Sequence, residues 1–488
     1  MPIFTPGRRW QGAYKAFHKE SVGKAALARL ELLIKSPLFG CRMCGNCLLQ
    51  ETAFICPMEC PKGLRNGPCG GSTADGCYVD MTRPCIWYEI NKRAHKMDRE
   101  EMLLEVLPPV DWDLVGTEAW GGVVKQWKEY GGKNLIKGML SKDPETKERV
   151  WDEFFVPIRQ PDWWQGDKEY HAPAYDEPVS NLERSLKTKD FTVTVEVTPP
   201  LGSATGKMRR HIEAVKPYAA AINFTEGASA APRMPSQASA MVALEMGAEP
   251  IMQIAARDTS RIGLQGIAIA AGALKIPNLF VVTGDNPSVG PIPRGRMDIV
   301  DLDSVQMIWI LRRLRDEGIF LDKRTTKFPP KYFIGAVASP LASEPQFQAI
   351  REHKKVNAGA QFFQTNLIFD ADALEPWLNE LARRNILDKM KILIGISILK
   401  NMKMAMYMHE QVPGIRIPQH ILDRLDKAGD KAADEGLQMS VELIQNLRKI
   451  KEVSGVHIMP VGREEEVPQL LAEAGLISPD SIQTEAKA

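Results

Sequence analysis

Eight short apolar runs, rich in β-branched residues and separated by helix-like stretches, constrain this chain more than any other feature. They lie at 191–196, 220–224, 250–254, 278–282, 332–337, 362–368, 391–396 and 455–459. The first ends at a turn, Pro199-Pro200-Leu201-Gly202, as a strand does. Among the intervening stretches, 304–317 reads as a helix stopped by Gly318, and another places Leu437, Val441, Ile444 and Leu447 on one face. Strands that alternate with helices argue for a parallel sheet with right-handed crossovers. Eight such units in about 300 residues fit an α/β fold of the (β/α)₈ TIM-barrel type. An open doubly wound sheet is the second reading, but no Gly-x-Gly-x-x-Gly turn follows the first run, where that fold would bind a dinucleotide.

The cysteines divide the chain. All eight, Cys41, Cys44, Cys47, Cys56, Cys60, Cys69, Cys77 and Cys85, precede the barrel pattern, and the 403 residues after them (488 − 85) contain none. Clustered cysteines in a chain of cytosolic character bind metal or do redox chemistry more often than they form a disulfide framework. Cys41-Arg-Met-Cys44-Gly-Asn-Cys47 puts three thiols on one tight turn, as a cubane cluster needs, and the Cys56-Pro57 and Cys60-Pro61 pairs follow. Eight thiolates suffice for two 4Fe–4S clusters, or for one cluster and one Zn²⁺; a purely structural zinc module is the alternative. Spacing does not say which cysteine serves which ion. The expected division is a cysteine-rich module with its linker over 1–185 and a barrel over 186–488. Between them, 157–190 carries Pro157, Pro161, Pro173 and Pro178 with Trp163, Trp164 and Tyr170, and reads as an ordered, irregular connection.

Charge excludes some partners. Lys+Arg 62 against Asp+Glu 61 leaves a net charge of +1, so no global basic field draws the chain to nucleic acid or an anionic membrane. No apolar run approaches the roughly 20 residues of a membrane span, and the start lacks the apolar core of a secretory signal. A solvated helix is expected before the cysteines, and a cytoplasmic location for the whole.

In a (β/α)₈ barrel the active site gathers at the C-terminal ends of the strands. Those ends here are Glu196, Thr225-Glu226-Gly227, Gln253, Thr283-Gly284-Asp285, Ser339-Pro340, Asn366 and Ser397. The set resembles the methylenetetrahydrofolate reductase family, in order along the barrel. Val195-Glu196-Val-Thr-Pro199-Pro200 resembles that family's first-strand motif, whose glutamate is the general acid. Thr225-Glu226-Gly227-Ala228 is similar to its Thr-x-Gly-Ala turn against a flavin. Val282-Thr283-Gly284-Asp285-Asn-Pro287 is similar to its Gly-Asp-x-Pro signature, whose aspartate lies near both flavin and pterin. The stretch from Lys354 to Asn366 resembles a helix end and strand carrying a flavin-phosphate lysine, here Lys355, and a pterin-binding amide, here Asn366. The resemblance further implies flavin contacts from Gln253 and Arg351 and a substrate contact from Leu399. Asn366 stands where glutamine is usual, Gln253 where some members have histidine, Ser339 where a tyrosine meets the flavin, and Gln348 where an aspartate precedes the lysine. These positions frame the flavin's ribityl and adenosine ends, so FAD and FMN both stay open.

What the resemblance implies is chemically coherent. Methylenetetrahydrofolate must open its five-membered ring to an iminium ion before accepting a hydride from reduced flavin. A carboxylic acid in a dry site, Glu196, can supply the proton, and an ionised Asp285 can stabilise the cation. Leu38-Phe-Gly-Cys41-Arg-Met-Cys44 and Asn66-Gly-Pro-Cys69-Gly-Gly71 resemble the cysteine-rich module that accompanies such reductases in acetogens. That likeness implies electrons arriving through a cluster from ferredoxin or an electron-transfer complex, with NAD(P)H as the other donor; a homo-oligomer is the default assembly. Two rivals remain: a corrinoid-dependent methyltetrahydrofolate methyltransferase and a non-catalytic electron-transfer adaptor. Lys355 can equally be a cation at a helix C-terminus. His457 reads as a packed strand residue, and Met402, Met404, Met406 and Met408 as helix packing.

Overall fold

The computed structural model describes residues 22–73, 76–121, 140–146, 160–292, 300–412 and 414–480. Strands β1 (Thr192–Val197), β2 (Ala221–Phe224), β3 (Pro250–Ala255), β4 (Asn278–Val282), β5 (Phe333–Ala338), β6 (Phe362–Leu367), β7 (Lys391–Ile396) and β8 (Gly455–Ile458) follow the eight runs to within one residue at either end. They close into one parallel barrel in sequence order, with Thr192 of β1 opposite Gly455 of β8 and Val195 opposite Ile458. The fold is the (β/α)₈ barrel, not the open sheet.

The helices in chain order are α1 (Val22–Phe39), α2 (Ile86–Lys96), α3 (Asn181–Thr188), α4 (Gly206–Val215), α5 (Ser236–Glu245), α6 (Arg261–Ala273), α7 (Ser304–Asp316), α8 (Pro345–Ala358), α9 (Glu375–Arg383), α10 (Met402–Gln411), α11 (Gln419–Ala428), α12 (Ala432–Leu447) and α13 (Val467–Glu473). The last barrel connection carries α10, α11 and α12. Met408 of α10 is buried, and Met402, Met404 and Met406 pack around the same core as Leu399, Ile415 and Leu425. Among the described residues no helix is long and apolar enough to cross a membrane.

The expected boundary falls at 185/186. Helix α3 straddles it, and Leu182 and Leu186 plug the barrel's lower end against Ala221, Ile251, Phe333 and Phe362 near the starts of their strands. Above that plug lies a polar layer: Thr194, Asn223, Gln364 and His457 hydrogen-bond one another, with 3.0 Å from Thr194 Oγ1 to His457 Nδ1 and 3.2 Å from Asn223 Nδ2 to Gln364 Oε1. Mutual hydrogen bonds offset most of the cost of burying these groups, although Asn223 Oδ1 has no partner among the described residues. His457 is thus a packed strand residue.

The connection before α3 is irregular, as its prolines dictate, yet anchored; Pro157 lies outside the described residues. Trp164 is fully buried, its Nε1 donates to the Val106 carbonyl (2.9 Å), and its ring packs on Trp309 of α7 at 6.4 Å. The cysteine-rich segment packs a small core of Ala53, Leu64, Trp87, Tyr88, Ile90 and Leu104, completed by Ile350 of α8. That core is therefore continuous with the barrel.

One carboxylate holds the two parts in register. Asp303 caps α7, its Oδ1 accepting from Gln306 N (2.9 Å) while the Gln306 side chain accepts from Asp303 N, a reciprocal capping box. Its other oxygen accepts from Arg65 N (3.1 Å) and Asn66 Nδ2 (2.9 Å). Asn66 in turn pairs with both backbone groups of Leu107. Asp303→Ala removes a cap worth about 1 kcal/mol and strands buried donors that cost about 1–3 kcal/mol. We expect a loss of about 2–4 kcal/mol in urea unfolding; a loss under about 1 kcal/mol contradicts this assignment.

Candidate functional site

A cavity of about 270 Å³ opens at the C-terminal ends of the strands. The turn after β2 contributes Thr225, Glu226 and Ala228; β3 gives Gln253, and the β4 turn gives Thr283, Gly284 and Asp285. Val282, Val337, Ser339, Arg351 and Asn366 complete the barrel's share. The sequence-derived site residues are thus brought together from four strand ends and α8 with four exceptions. Gly227 is not part of the lining, although its neighbours Glu226 and Ala228 are. Leu399 is buried in the core it forms with Met408, Ile415 and Leu425. Lys355 is also buried and donates to the Val337 carbonyl, and burial holds its ammonium pKa well below the ordinary lysine value. Arg351, one helical turn earlier, is the cation of α8 that reaches the cavity.

Glu196 is the fourth. It follows Thr194 on the inward face of β1 by strand alternation, with Oε2 3.9 Å from His457 Nε2. It therefore stands above the polar layer at the barrel axis rather than on the cavity wall.

The mouth is shaped by a residue that the sequence reading passed over. Arg257, just after β3, donates to the carbonyls of Gly227 and Asp285 (both 3.2 Å) and pairs with Asp258 at 2.6 Å. It ties the β2 turn to the β4 turn. Gly284 (φ +82°) lies over it, and a Cβ there would come within 2.9 Å of the Arg257 Cβ; the left-handed turn and the close approach both require glycine. Asp285 Oδ2 accepts from Ser229 N (3.0 Å), and Gln253 Oε1 from Glu226 N (3.2 Å). Only an arginine in a post-strand turn, Ala256-Arg257-Asp258, signalled this in the sequence.

Several polar atoms facing the cavity have no protein partner among the described residues: Thr225 Oγ1, Ser339 Oγ and Asn366 Oδ1, although Asn366 Nδ2 donates to Gly414 O at 2.9 Å. Buried hydroxyl and amide oxygens left unpaired cost free energy. Their arrangement around a cavity suits a polar ligand.

The cysteine-rich segment supplies the remaining wall: Lys62, Cys69, Gly70, Gly71 and Tyr78. Lys62 Nζ donates to Gly284 O (3.0 Å) and lies 4.5 Å from the centre of the Tyr78 ring; the Tyr78 hydroxyl accepts from Asn286 N (3.0 Å). Gly70 abuts Ser339, where a Cβ would come within 2.6 Å of Oγ. Burial raises the thiols of Cys41 and Cys85 to about 11 and that of Cys60 to about 12. Cys69 moves down: burial opposes this, but the Lys62 charge and the Ser72 hydroxyl outweigh it. All eight thiols are free, and among the described residues no three Cys, His, Asp or Glu side chains converge closely enough for a single metal ion.

Fold and site together define a (β/α)₈ barrel protein with a polar mouth cavity walled in part by its own cysteine-rich segment. Residues 181–475 match the family described as methylenetetrahydrofolate reductase, and residues 24–113 match one described as methylene-tetrahydrofolate reductase C terminal. The chain belongs to the methylenetetrahydrofolate reductase family. It is similar to a probable methylenetetrahydrofolate reductase (NADPH) of Caenorhabditis elegans, 25% identical over 213 residues, 42% of this chain and 29% of that protein. Methylenetetrahydrofolate reductase 1 of Schizosaccharomyces pombe is 26% identical over 160 residues, 31% of this chain and 26% of that protein. The matched region thus spans under a third of either curated relative's length. A solved Clostridium thermocellum protein, described as uncharacterized and binding two copies of 5-methyl-5,6,7,8-tetrahydrofolic acid, aligns with a TM-score of 0.43 at 15% identity over 60% of this chain and 97% of its own.

If the unpaired hydroxyl of Thr225 is held for a ligand, removing it relieves the ligand-free protein. Thr225→Val is expected to leave urea stability unchanged or raise it by about 1 kcal/mol. A loss above about 1 kcal/mol would show that the hydroxyl has a structural partner.

Proposed function

We propose that this chain reduces 5,10-methylenetetrahydrofolate to 5-methyltetrahydrofolate with a bound flavin as hydride source. The observation that carries the reading is the mouth cavity. It gathers Thr225, Gln253, the 283–285 turn, Arg351 and Asn366, the residues that the family motifs single out, and leaves three polar oxygens in its wall unpaired.

Thr225, Gly227, Ala228, Gln253, Thr283 and Gly284 would hold the flavin, with Arg351 as the cation for its phosphate end, a role that the burial of Lys355 leaves open. The flavin, when bound, supplies the hydride; the protein supplies position and field. Asn366 and Asp285 would hold the pterin. Asp285, fixed by Ser229 N, would stabilise the positive charge that develops as the substrate's five-membered ring opens. Glu196 would give its proton to the ring nitrogen whose bond to the one-carbon unit breaks, leaving an iminium ion to accept the hydride. His457, 3.9 Å away, and the polar layer beneath it would steady that carboxyl.

The cysteines would bind soft metal, as iron–sulfur cluster or zinc, and the cysteine-rich wall offers a route for electrons from ferredoxin or a larger complex; NAD(P)H is the competing donor.

Glu196→Gln keeps shape and loses the proton. We expect flavin and folate binding within about twofold of wild type and turnover down by about 10²–10⁴, from paired ligand titrations and steady-state assays. Turnover within about threefold of wild type would remove Glu196 from the general-acid role.

A further inference from the structure

The turn that follows β4 is gripped on both sides of Asp285. The Gly284 carbonyl, just before it, accepts from Lys62 Nζ at 3.0 Å. The Asn286 N–H, just after it, donates to the Tyr78 hydroxyl, also at 3.0 Å. Both partners come from the cysteine-rich segment, 222 and 208 residues away along the chain. Both line the same cavity as Asp285. They are also fixed against each other, since the Lys62 ammonium lies 4.5 Å from the centre of the Tyr78 ring. Lys62 is only 3% exposed and Asn286 only 7%. A hydrogen bond lost here is not made good by bulk water.

The carboxylate itself is left free. Lys62 spends its bond on a carbonyl, and Arg257 of the barrel does the same with Asp285 O at 3.2 Å. Among the described residues no cation forms an ion pair with the Asp285 carboxylate, whose Oδ2 accepts from Ser229 N at 3.0 Å. A carboxylate that stabilises developing positive charge must be held still and must keep its own charge. The 284–286 turn meets both conditions.

We propose that Lys62 and Tyr78 are positioning residues for the reaction in the barrel. By holding the peptide groups before and after Asp285, they aim its carboxylate into the cavity. The cysteine-rich segment thereby completes the folate subsite by hydrogen bonds alone, and its thiols take no part in this role. The proposal rests on the reductase reading for what Asp285 does; the bracket around it rests on the geometry.

Tyr78→Phe keeps the ring beside Lys62 and strands the Asn286 N–H, whereas Lys62→Met keeps the stem and strands the Gly284 carbonyl. Hydrogen exchange at the 284–286 amides, without added folate, reads the bracket directly. Exchange there is expected to be about tenfold faster or more in both variants; unchanged exchange would overturn the bracket. Function is read on the holoenzyme purified without oxygen, by titration with 5-methyltetrahydrofolate and by turnover. Each variant should weaken that binding and lower turnover by about tenfold, with flavin, iron and zinc content as in wild type. Each is then combined with Asp285→Asn. A residue that works through Asp285 adds little once that carboxylate is gone, so a further change under about twofold is expected in both readouts. Losses that multiply in full in the Asp285→Asn background would make the two residues general supports of the wall and overturn the proposal. Loss of flavin in step with turnover would do the same. Faster exchange beside an Asp285→Asn variant as active as wild type would sink the part given to Asp285 in the reductase reading, and the positioning role with it, while the bracket would stand.

Discussion

The buried carboxylate of Asp303 is the contact on which the composite site depends. One oxygen starts helix α7 and the other receives two donors from the 65–66 turn of the cysteine-rich segment. A barrel helix and the segment's loop are thereby fixed to one side chain. Four residues past Asn66, Gly70 lies against Ser339, and Cys69 faces the mouth. A rigid helix end thus sets the position of the thiol that walls the cavity. Lys62 and Tyr78 repeat the arrangement on the β4 turn, through Gly284 O and Asn286 N. The cysteine-rich segment is consequently a structural part of the barrel's mouth.

Arg257 ties together the turns that form the mouth. It does so through their backbone carbonyls and leaves the Asp285 carboxylate to Ser229 and the cavity. Thr225, Ser339 and Asn366 keep acceptors without partners among the described residues. Such groups are costly in a closed core and useful where a polar ligand will meet them, so polar satisfaction fails in the wall of this cavity as it does at sites kept for binding.

The barrel was legible because its strands are short, β-branched and bounded by turns, so tertiary context had little to override; all eight fall within a residue of expectation. The mouth residues were legible because strand ends map directly to the barrel's top face. Other features were not. Lys355 and Arg351 lie one turn apart on α8, and only packing decides which is buried beneath Val337 and which faces the cavity. Arg257 acts through backbone carbonyls, which leave no trace in side-chain pattern. The sequence spacing did not assign Cys56 and Cys60 to a site; the intervening turn places them at separate cavities. The start of the barrel at α3 was hidden by the prolines before it, since the signal of Leu182 and Leu186 is too short to read as a plug.

The central claim is that a flavin-bearing barrel and a metal-bearing segment form one redox site. The most direct test is the absorption spectrum of protein purified without oxygen, taken with its flavin, iron and zinc content. The account predicts about one flavin per chain together with at least about four irons. Metal without flavin, under conditions that preserve flavin binding, would contradict it.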